Sequence, residues 1–222
     1  GAAMVLWAPA MTDCQLYLIS PLDVTGDFPQ RLERALDAGP GLVTAFQFRV
    51  KDIDQHEAAR LAEPLQAICA ARDVAFIVND DVALAKRLGA DGVHLGQGDG
   101  DVRDAREELG REAQIGVTCH ASRHLAMEAG EGGADYVAFG AFFDSTTKPS
   151  EHRPEPEILE WWSTVFEIPC VAIGGITPAN CAPIVAAGAD FLAVSGAVWN
   201  GDEVAAVKAF AQRIGAEQNG AA

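Results

Sequence analysis

The chain has 222 residues, of which 49% are hydrophobic and 22% charged, and its formal net charge is −16. This length suits a single α/β domain with a sizeable core, whereas the acidic balance excludes the broad basic face that nucleic acids require. No apolar run reaches eighteen residues and the first residues do not resemble a signal peptide, so we expect no membrane partner and favour a cytoplasmic protein.

Short apolar runs divide the chain into regular units. Residues 1–13 predict an irregular lead-in, residues 14–216 one folded domain, and residues 217–222 a disordered tail. Runs of four to eight apolar residues bounded by turn signals are typical of buried parallel strands. Eight such strands are predicted, at residues 15–20, 42–49, 75–79, 92–96, 114–119, 136–141, 169–175 and 191–196.

Three of these strands follow the same short pattern. The segments GADGVHLGQ, GADYVAFGA and GADFLAVSG begin at Gly89, Gly133 and Gly188. In each segment a glycine can take the left-handed conformation that ends a helix, and a small residue and an aspartate then lead into the apolar run. These segments predict the joints of a repeated β–α unit.

Helix-like stretches lie between the strands, and Pro64 and Pro183 inside two of them predict a late start or a kink. Eight alternating strands and helices in about 200 residues predict a single (β/α)8 TIM barrel. The main alternative is a doubly wound open sheet, which usually has fewer strands and a glycine-rich loop after the first one. Neither GxGxxG nor GxxxxGK occurs here, which favours the barrel.

The active site of such a barrel lies where the strands end, so polar residues at the predicted strand ends are the candidate site. In chain order these residues are Gln47, Arg49, Lys51, Asn79, Asp80, Gln97, Asp99, Thr118, His120, Ser145, Thr146, Thr147, Lys148, Gly174, Gly175, Ser195 and Gly196.

Two carboxylates follow neighbouring predicted strands. Asp80 comes directly after strand three and Asp99 shortly after strand four. Mg²⁺ is commonly bound by one or two carboxylates together with water and substrate phosphate oxygens, so the pair predicts a magnesium site. The alternative for Asp80 is that it caps the helix beginning at Val82, although Asp81 is better placed for that role.

Three cations are predicted on the same rim. Arg49, Lys51 and Lys148 follow strands two and six, and together they could hold a diphosphate against a protein of negative charge. As single residues they would more often be solvated surface charges. Their convergence from separate loops favours the binding role.

The last two loops are rich in glycine and small residues. The stretches AIGGIT and AVSGAV follow strands seven and eight, where barrels of this kind commonly bind one phosphate with backbone N–H groups and a short helix. Close packing of helix against strand is the structural alternative for these glycines. Two such loops in the expected places favour a phosphate site.

Other conspicuous side chains have structural interpretations. The five cysteines contain no CxxC pair and are expected to be reduced. Cys119 lies beside His120 and could be a thiolate nucleophile, but a cysteine in an apolar strand is more often a small core residue. His94 lies between two apolar residues and predicts a satisfied core or rim histidine. Trp161 and Trp162 predict outer packing or the surface of a homo-oligomer.

Six motifs occur in order between about Cys14 and Phe210. They are FQFRVKD, FIVNDDVALAKRLGADGVHLGQGD, IGVTCH, GADYVAFGAFF followed by STTKP, VAIGGIT and FLAVSG. In this order they resemble the thiamine phosphate synthase family, also called thiamine phosphate pyrophosphorylase. The resemblance implies a barrel transferase that joins 4-amino-5-hydroxymethyl-2-methylpyrimidine diphosphate to 4-methyl-5-(2-phosphoethyl)thiazole and releases thiamine phosphate and pyrophosphate.

The resemblance also implies a role for each matching position. It implies a Mg²⁺ cofactor, loss of diphosphate before the thiazole nitrogen adds, and no side-chain nucleophile. By resemblance, the metal ligands are Asp80 and Asp99, and the residues that bind pyrophosphate and support catalysis are Arg49, Lys51, Asn79 and Lys148. The resemblance also implies that Gln47 contacts the pyrimidine and that Thr118 lies beside the diphosphate. It implies that the thiazole phosphate is held by Ser145 and Thr147 with the backbones of Gly175, Val194 and Ser195.

Departures from the family pattern leave two other functions open. Asp144 adds an acid beside the STTKP loop, our candidate lid, while Ser145 replaces a threonine and Thr118 a serine. A related thiazole tautomerase shares the barrel and uses a histidine near His120, but it does not need the diphosphate and metal residues. The second alternative is a non-catalytic protein that binds a phosphate ligand, and Asp144 is the one residue of the sequence that indicates it.

Overall fold

The computed structural model describes residues 13–145 and 151–220. Eight parallel strands close into a barrel in chain order, and the last strand pairs with the first. This confirms the predicted TIM barrel. The strands are β1 (Gln15–Ile19), β2 (Val43–Phe48), β3 (Ala75–Asn79), β4 (Gly92–Leu95), β5 (Gln114–His120), β6 (Tyr136–Phe139), β7 (Cys170–Ile173) and β8 (Phe191–Val194).

Helices surround the barrel and follow the strands along the chain, which is the β–α alternation that the sequence pattern predicts. The last strand is followed by a one-turn helix and then by the long final helix. The helices are α1 (Phe28–Ala38), α2 (Gln55–Ala70), α3 (Val82–Leu88), α4 (Val102–Leu109), α5 (Arg123–Glu131), α6 (Glu157–Val165), α7 (Ala182–Ala186), α8 (Gly196–Trp199) and α9 (Glu203–Gly220).

The strands are buried on both faces, which explains why their sequences are apolar throughout rather than alternating. One face packs against the helices and forms the larger core. The other face fills the barrel with a smaller layer of mostly small and aromatic side chains. The inner layer consists of Tyr17, Ile19, Ala45, Ala75, Ile77, Tyr136, Ala138, Val171, Phe191 and Ala193.

The three GAD segments make one repeated contact at the start of β4, β6 and β8. In each, the aspartate carboxylate accepts a hydrogen bond from a backbone N–H of the preceding strand, at 2.7 to 2.9 Å, and the aspartate N–H donates to the carbonyl of that same residue. This two-point bridge explains why the joint requires Asp. The bridges are Asp91 with Phe76, Asp135 with Ile115, and Asp190 with Cys170.

The predictions for Pro64, Pro183 and the C-terminal tail agree with the structure to different extents. Pro64 lies inside α2 without delaying its start, whereas Pro183 occupies the first turn of the short helix α7, as a late start requires. The prediction of disorder from residue 217 is wrong for residues 217–220, because α9 continues its helical backbone to Gly220 beyond the buried Ile214. Residues 1–12 and 221–222 lie outside the described part.

The neighbouring tryptophans divide between core and surface. Trp162 is fully buried, stacks on Phe166, and donates its indole N–H to the carbonyl of Ile168 at 2.7 Å. Trp161 is partly buried beneath the guanidinium of Arg123 on α5. This supports outer packing within one chain as the role of the pair. In the described ranges, no helix combines the length and apolarity needed to cross a membrane.

Candidate active site

Three of the predicted residues meet where β2 and β3 end. Oδ2 of Asp80 accepts hydrogen bonds from Nζ of Lys51 at 2.6 Å and from Nδ2 of Asn79 at 3.2 Å. Asp80 has a left-handed backbone with φ of 57°, and its N–H donates to the carbonyl of His94 at the end of β4. The turn thus presents the carboxylate towards a cation on the neighbouring loop.

Asp81 has the structural role that the sequence predicts. Its side chain accepts a hydrogen bond from the N–H of Leu84 at 2.9 Å and caps α3. Because Asp81 satisfies this helix end, the capping interpretation of Asp80 is wrong. The adjacent acids are therefore a cap and a residue available for binding.

Asp99 lies in the turn after β4. Its Oδ2 accepts the N–H of Gly96 at 2.8 Å, and its own N–H donates to the Gly96 carbonyl at 3.1 Å. A Cβ at Gly96 would lie only 2.7 Å from that carboxylate oxygen, so a larger residue at this position would displace the Asp99 carboxylate. Since Asn79 pairs with His94 across β3 and β4, the loops carrying Asp80 and Asp99 start side by side.

The chemistry of these residues fits a hard divalent cation. Asp80 and Asp99 each use Oδ2 in the contacts above, and none of the described residues donates a hydrogen bond to Oδ1 of either carboxylate. Residues 13–145 and 151–220 contain no cluster of three or more protein groups suited to a metal. Two carboxylates are enough for Mg²⁺ when substrate phosphate and water supply the other ligands.

Arg49 is the second cation of the rim within the described ranges. Its backbone is held by Ser20, whose Oγ accepts the Arg49 N–H at 2.9 Å and donates to the Arg49 carbonyl at 3.2 Å. The side chain is partly buried, and no ion pair or hydrogen bond joins its guanidinium to the residues described. Predicted site residues Thr147 and Lys148 lie outside those residues, as does Thr146.

Gln47 and Thr118, predicted beside the pyrimidine and the diphosphate, are joined through the barrel interior by three further side chains. The connecting residues are Tyr17, Tyr136 and His94. Gln47 Nε2 lies 3.0 Å from Tyr17 Oη, which lies 2.8 Å from Tyr136 Oη. Tyr136 Oη lies 2.8 Å from His94 Nδ1, and His94 Nε2 lies 2.7 Å from Thr118 Oγ1.

This network confirms His94 as a buried histidine with both ring nitrogens satisfied. Sequence reasoning missed Tyr17 and Tyr136. They are the only tyrosines of the chain, and each lies inside a predicted buried strand. A buried hydroxyl needs a hydrogen-bond partner, so two tyrosines inside buried strands predict a polar contact in the barrel interior.

The glycine-rich loops serve packing as well as any ligand. Gly175 has φ of 63°, and a Cβ there would lie 2.4 Å from the carbonyl oxygen of Asp144. Gly174 has φ of 104° and would similarly meet Ala141. Both glycines therefore allow close packing, but between the β7 loop and the segment after β6 rather than between a helix and a strand as expected.

Val194 and Ser195 lie at the end of β8, where the one-turn helix α8 begins. Val194 is buried, and Ser195 is the N-cap residue but makes no side-chain capping hydrogen bond. The Ser195 carbonyl instead accepts the N–H groups of Val198 and Trp199 at 3.0 Å. Ser145, on the loop after β6, is partly buried. These are the described members of the predicted phosphate cradle.

Asp144, the acid that departs from the family pattern, forms an ion pair with Arg153. On the same side of the barrel, the rings of His120 and His152 stack with centroids 4.2 Å apart, and the His152 carbonyl accepts the N–H of Ala141 at 3.1 Å. These contacts join residues 141–144, after β6, to residues 152–153. The ion pair offsets the added negative charge at Asp144.

A thiolate nucleophile is not available at Cys119. Its side chain is buried, and burial raises the pKa of the thiol to about 12. Burial also raises the pKa of Tyr17 to about 12 and that of Tyr136 well above its ordinary value. At neutral pH all three groups therefore keep their protons, and Cys119 remains a core residue.

Comparison with known proteins is consistent with this arrangement. A family model described as thiamine monophosphate synthase matches residues 16–198. A protein of Erythrobacter litoralis named thiamine-phosphate synthase is 80% identical over 204 residues, covering 91% of this chain and 96% of the relative. One of Rhodospirillum centenum with the same name is 55% identical over 191 residues, covering 86% and 91%.

Among solved structures, the thiamine phosphate pyrophosphorylase of Pyrococcus furiosus superposes with a TM-score of 0.81 at 29% identity. The match covers 93% of this chain and 98% of that protein, so the whole barrel is shared. Together with the extent of the family-model match, these similarities show that the chain belongs to the thiamine monophosphate synthase family.

Proposed function

We propose that this protein is a transferase that joins 4-amino-5-hydroxymethyl-2-methylpyrimidine diphosphate to 4-methyl-5-(2-phosphoethyl)thiazole, giving thiamine phosphate and pyrophosphate in the cytoplasm. Membership of the family supports the reaction. The observation that carries the assignment of the site is the meeting of Lys51 and Asn79 on the carboxylate of Asp80, beside the loop of Asp99. A cation, an amide and two carboxylates on one rim suit a metal-bound diphosphate.

Asp80 and Asp99 are the proposed Mg²⁺ ligands. When bound, Mg²⁺ would neutralise diphosphate charge and so stabilise it as a leaving group. Arg49 and Lys51, together with Asn79 and Lys148, would hold the diphosphate oxygens by charge-assisted hydrogen bonds. Because Lys51 already contacts Asp80, its ammonium can move between carboxylate and substrate with little displacement.

The proposed mechanism is dissociative. The pyrimidine C–O bond breaks first, the electron-rich aminopyrimidine carries the positive charge, and the thiazole nitrogen then donates its electron pair to the methylene carbon. This route needs no side-chain nucleophile, which agrees with the raised pKa of the buried Cys119 thiol. The residues contribute orientation of the two substrates and stabilisation of the departing charge.

The second substrate would bind by its phosphate at the other side of the mouth. Ser145 and Thr147 are proposed to donate hydroxyl hydrogen bonds, with the backbone at Gly175, Val194 and Ser195 completing the cradle. Gln47 is proposed to bind the pyrimidine and Thr118 the diphosphate. The family's phosphate-binding loops and the strand-end positions of these residues support the assignment.

The test is a two-substrate assay that follows thiamine phosphate and pyrophosphate by mass spectrometry, with Mg²⁺ and then with excess EDTA. Product that forms with Mg²⁺ and disappears with EDTA would support both the reaction and the metal. Binding of the thiazole phosphate without binding of the pyrimidine diphosphate would instead favour the tautomerase. Binding of both substrates without turnover would favour the non-catalytic binder.

A further inference from the structure

We propose that Tyr17, Tyr136 and His94 are positioning residues whose hydrogen bonds run in one direction through the barrel and fix the donor and acceptor roles of Gln47 and Thr118. This inference rests on the proposed function, because it assigns these two residues to the two halves of the pyrimidine diphosphate. Gln47 and the three positioning residues come from four different strands, and the network ends at Thr118 on β5. Tyr17 lies on β1, Gln47 on β2, His94 on β4 and Tyr136 on β6.

The direction of the network is set at its first bond. An amide nitrogen can only donate, so Gln47 Nε2 gives its proton to Tyr17 Oη at 3.0 Å. Among the described residues, Tyr17 Oη has one other polar partner, Tyr136 Oη at 2.8 Å, so the Tyr17 hydroxyl donates there. Both hydroxyls keep their protons because burial raises the pKa of each tyrosine.

The same direction continues to the rim. Having accepted from Tyr17, the Tyr136 hydroxyl donates to Nδ1 of His94 at 2.8 Å, which places the imidazole proton on Nε2. His94 Nε2–H then donates to Oγ1 of Thr118 at 2.7 Å. With its oxygen engaged as an acceptor, the Thr118 hydroxyl is left to donate its own proton towards the site.

An outward-pointing donor is what an anionic diphosphate oxygen requires at Thr118. The position of this hydroxyl is further fixed because Gln97 Nε2 donates to the Thr118 carbonyl at 2.6 Å. At the other end, none of the described residues donates to Oε1 of Gln47, and this oxygen is not sealed from solvent. It can accept from the exocyclic amino group of the pyrimidine.

Burial makes the network rigid. Tyr17 and Tyr136 are 1% exposed, Gln47 3% and His94 7%, and the tyrosine rings meet edge to face with centroids 5.9 Å apart. In surroundings of low polarity each hydrogen bond polarises the next, so loss of an inner hydroxyl changes the outer groups as well. The reacting atoms need not touch Tyr17 or Tyr136 for this effect.

The kinetic test uses Tyr136→Phe, which removes one hydroxyl and keeps the ring. The kcat/KM for the pyrimidine diphosphate should fall roughly tenfold, as for loss of one hydrogen bond to a charged group. Thr118→Val should lose a similar amount and Thr118→Ser little. The double variant Tyr136→Phe with Thr118→Val should lose no more than Thr118→Val alone, because the tyrosine acts through the threonine.

Thr44→Val is the matched control, since Thr44 Oγ1 donates to Gln15 Oε1 at 2.7 Å in an equally buried bond at the opposite end of the barrel. This variant should change kcat/KM less than about twofold. A multiplicative loss in the double variant, or a loss with Thr44→Val equal to that with Tyr136→Phe, would refute the positioning role.

A second measurement needs no variant and no activity. In ¹⁵N-labelled wild-type protein at neutral pH, the His94 imidazole should show its proton on Nε2, and a proton on Nδ1 would overturn the inferred direction. If the wild-type protein makes no thiamine phosphate, the proposed function fails, but this tautomer still decides whether the network runs as inferred.

Discussion

Nζ of Lys51 lies 2.6 Å from Oδ2 of Asp80, so a cation proposed to bind diphosphate is paired with a carboxylate proposed to bind metal. Both side chains are about a third exposed, at 39% and 33%. The pair is therefore accessible, and an arriving metal–diphosphate complex would exchange partners with it. The Asp80 carboxylate would then help to hold Mg²⁺, and the Lys51 ammonium would bind the phosphate.

Replacing Lys51 separates these two roles. Lys51→Gln should lower activity, but should tighten binding of Mn²⁺, used as a paramagnetic substitute for Mg²⁺, because Asp80 loses a competing cation. Exposed pairs contribute about 0.2–1 kcal/mol, so the metal dissociation constant should fall between about 1.4- and 5-fold. Titration followed by electron paramagnetic resonance measures it, and weaker metal binding would contradict the competition.

Asp81 should affect folding rather than catalysis. Removing its cap from α3 in Asp81→Ala should lower the free energy of unfolding by about 1 kcal/mol, measured by urea denaturation, with kcat almost unchanged. Asp81→Asn, which keeps an acceptor oxygen, is the control and should retain most of the stability. A large loss of kcat in Asp81→Asn would place this residue in the reaction instead.

The bridge at Asp91 predicts a pH dependence. Burial raises the pKa of Asp91, although the Phe76 N–H partly opposes this. The folded state therefore binds a proton more readily than the unfolded state, and between the ordinary and the raised pKa this residue makes folding less favourable as pH rises. Asn cannot ionise, so the wild-type minus Asp91→Asn difference in unfolding free energy should fall with pH across that window.

Glu203 provides a control of opposite sign for this experiment. Its burial would raise its pKa, but its own backbone N–H, Arg34 and Arg31 outweigh burial and lower it. Its contribution to stability is present above the unfolded pKa and disappears as pH falls through the folded pKa. The wild-type minus Glu203→Gln difference should rise with pH; equal slopes for the two variants would contradict the assignment.

Cys119 should be dispensable for the chemistry. Because burial raises its pKa to about 12, iodoacetamide should not label it in the folded protein near neutral pH, and Cys119→Ala should keep kcat. The substitution removes a buried sulfur and should lower the free energy of unfolding by about 1 kcal/mol. Rapid labelling of Cys119, found by peptide mapping, together with loss of kcat, would restore the nucleophile hypothesis.

Local rules were sufficient to predict the barrel and part of the site. Glycine caps and apolar runs identified all eight strands to within about two residues at their ends, and capping preferences separated Asp81 from Asp80. Each of these signals lies within a few residues of the feature it predicts. The end of α9 was missed because helix continuation to Gly220 carries no apolar pattern.

Contacts between distant residues were not predicted. The bond between Tyr17 and Tyr136 joins positions 119 residues apart, and only barrel closure shows that they face each other. The pairing of Asp144 with Arg153 spans nine residues, but depends on how the chain returns after the β6 loop. Such contacts follow from register and loop path, which residue patterns alone do not specify.

The most direct test of the central claim is the two-substrate assay on wild-type protein, Asp80→Ala and Asp99→Ala at saturating Mg²⁺, with Asp81→Ala as the matched acid. We predict thiamine phosphate from the wild type and from Asp81→Ala, and at least a hundredfold lower kcat/KM in the other two, because lost charge stabilisation of the leaving group costs about 3 kcal/mol or more. Wild-type rates in Asp80→Ala and Asp99→Ala would contradict the proposed magnesium site.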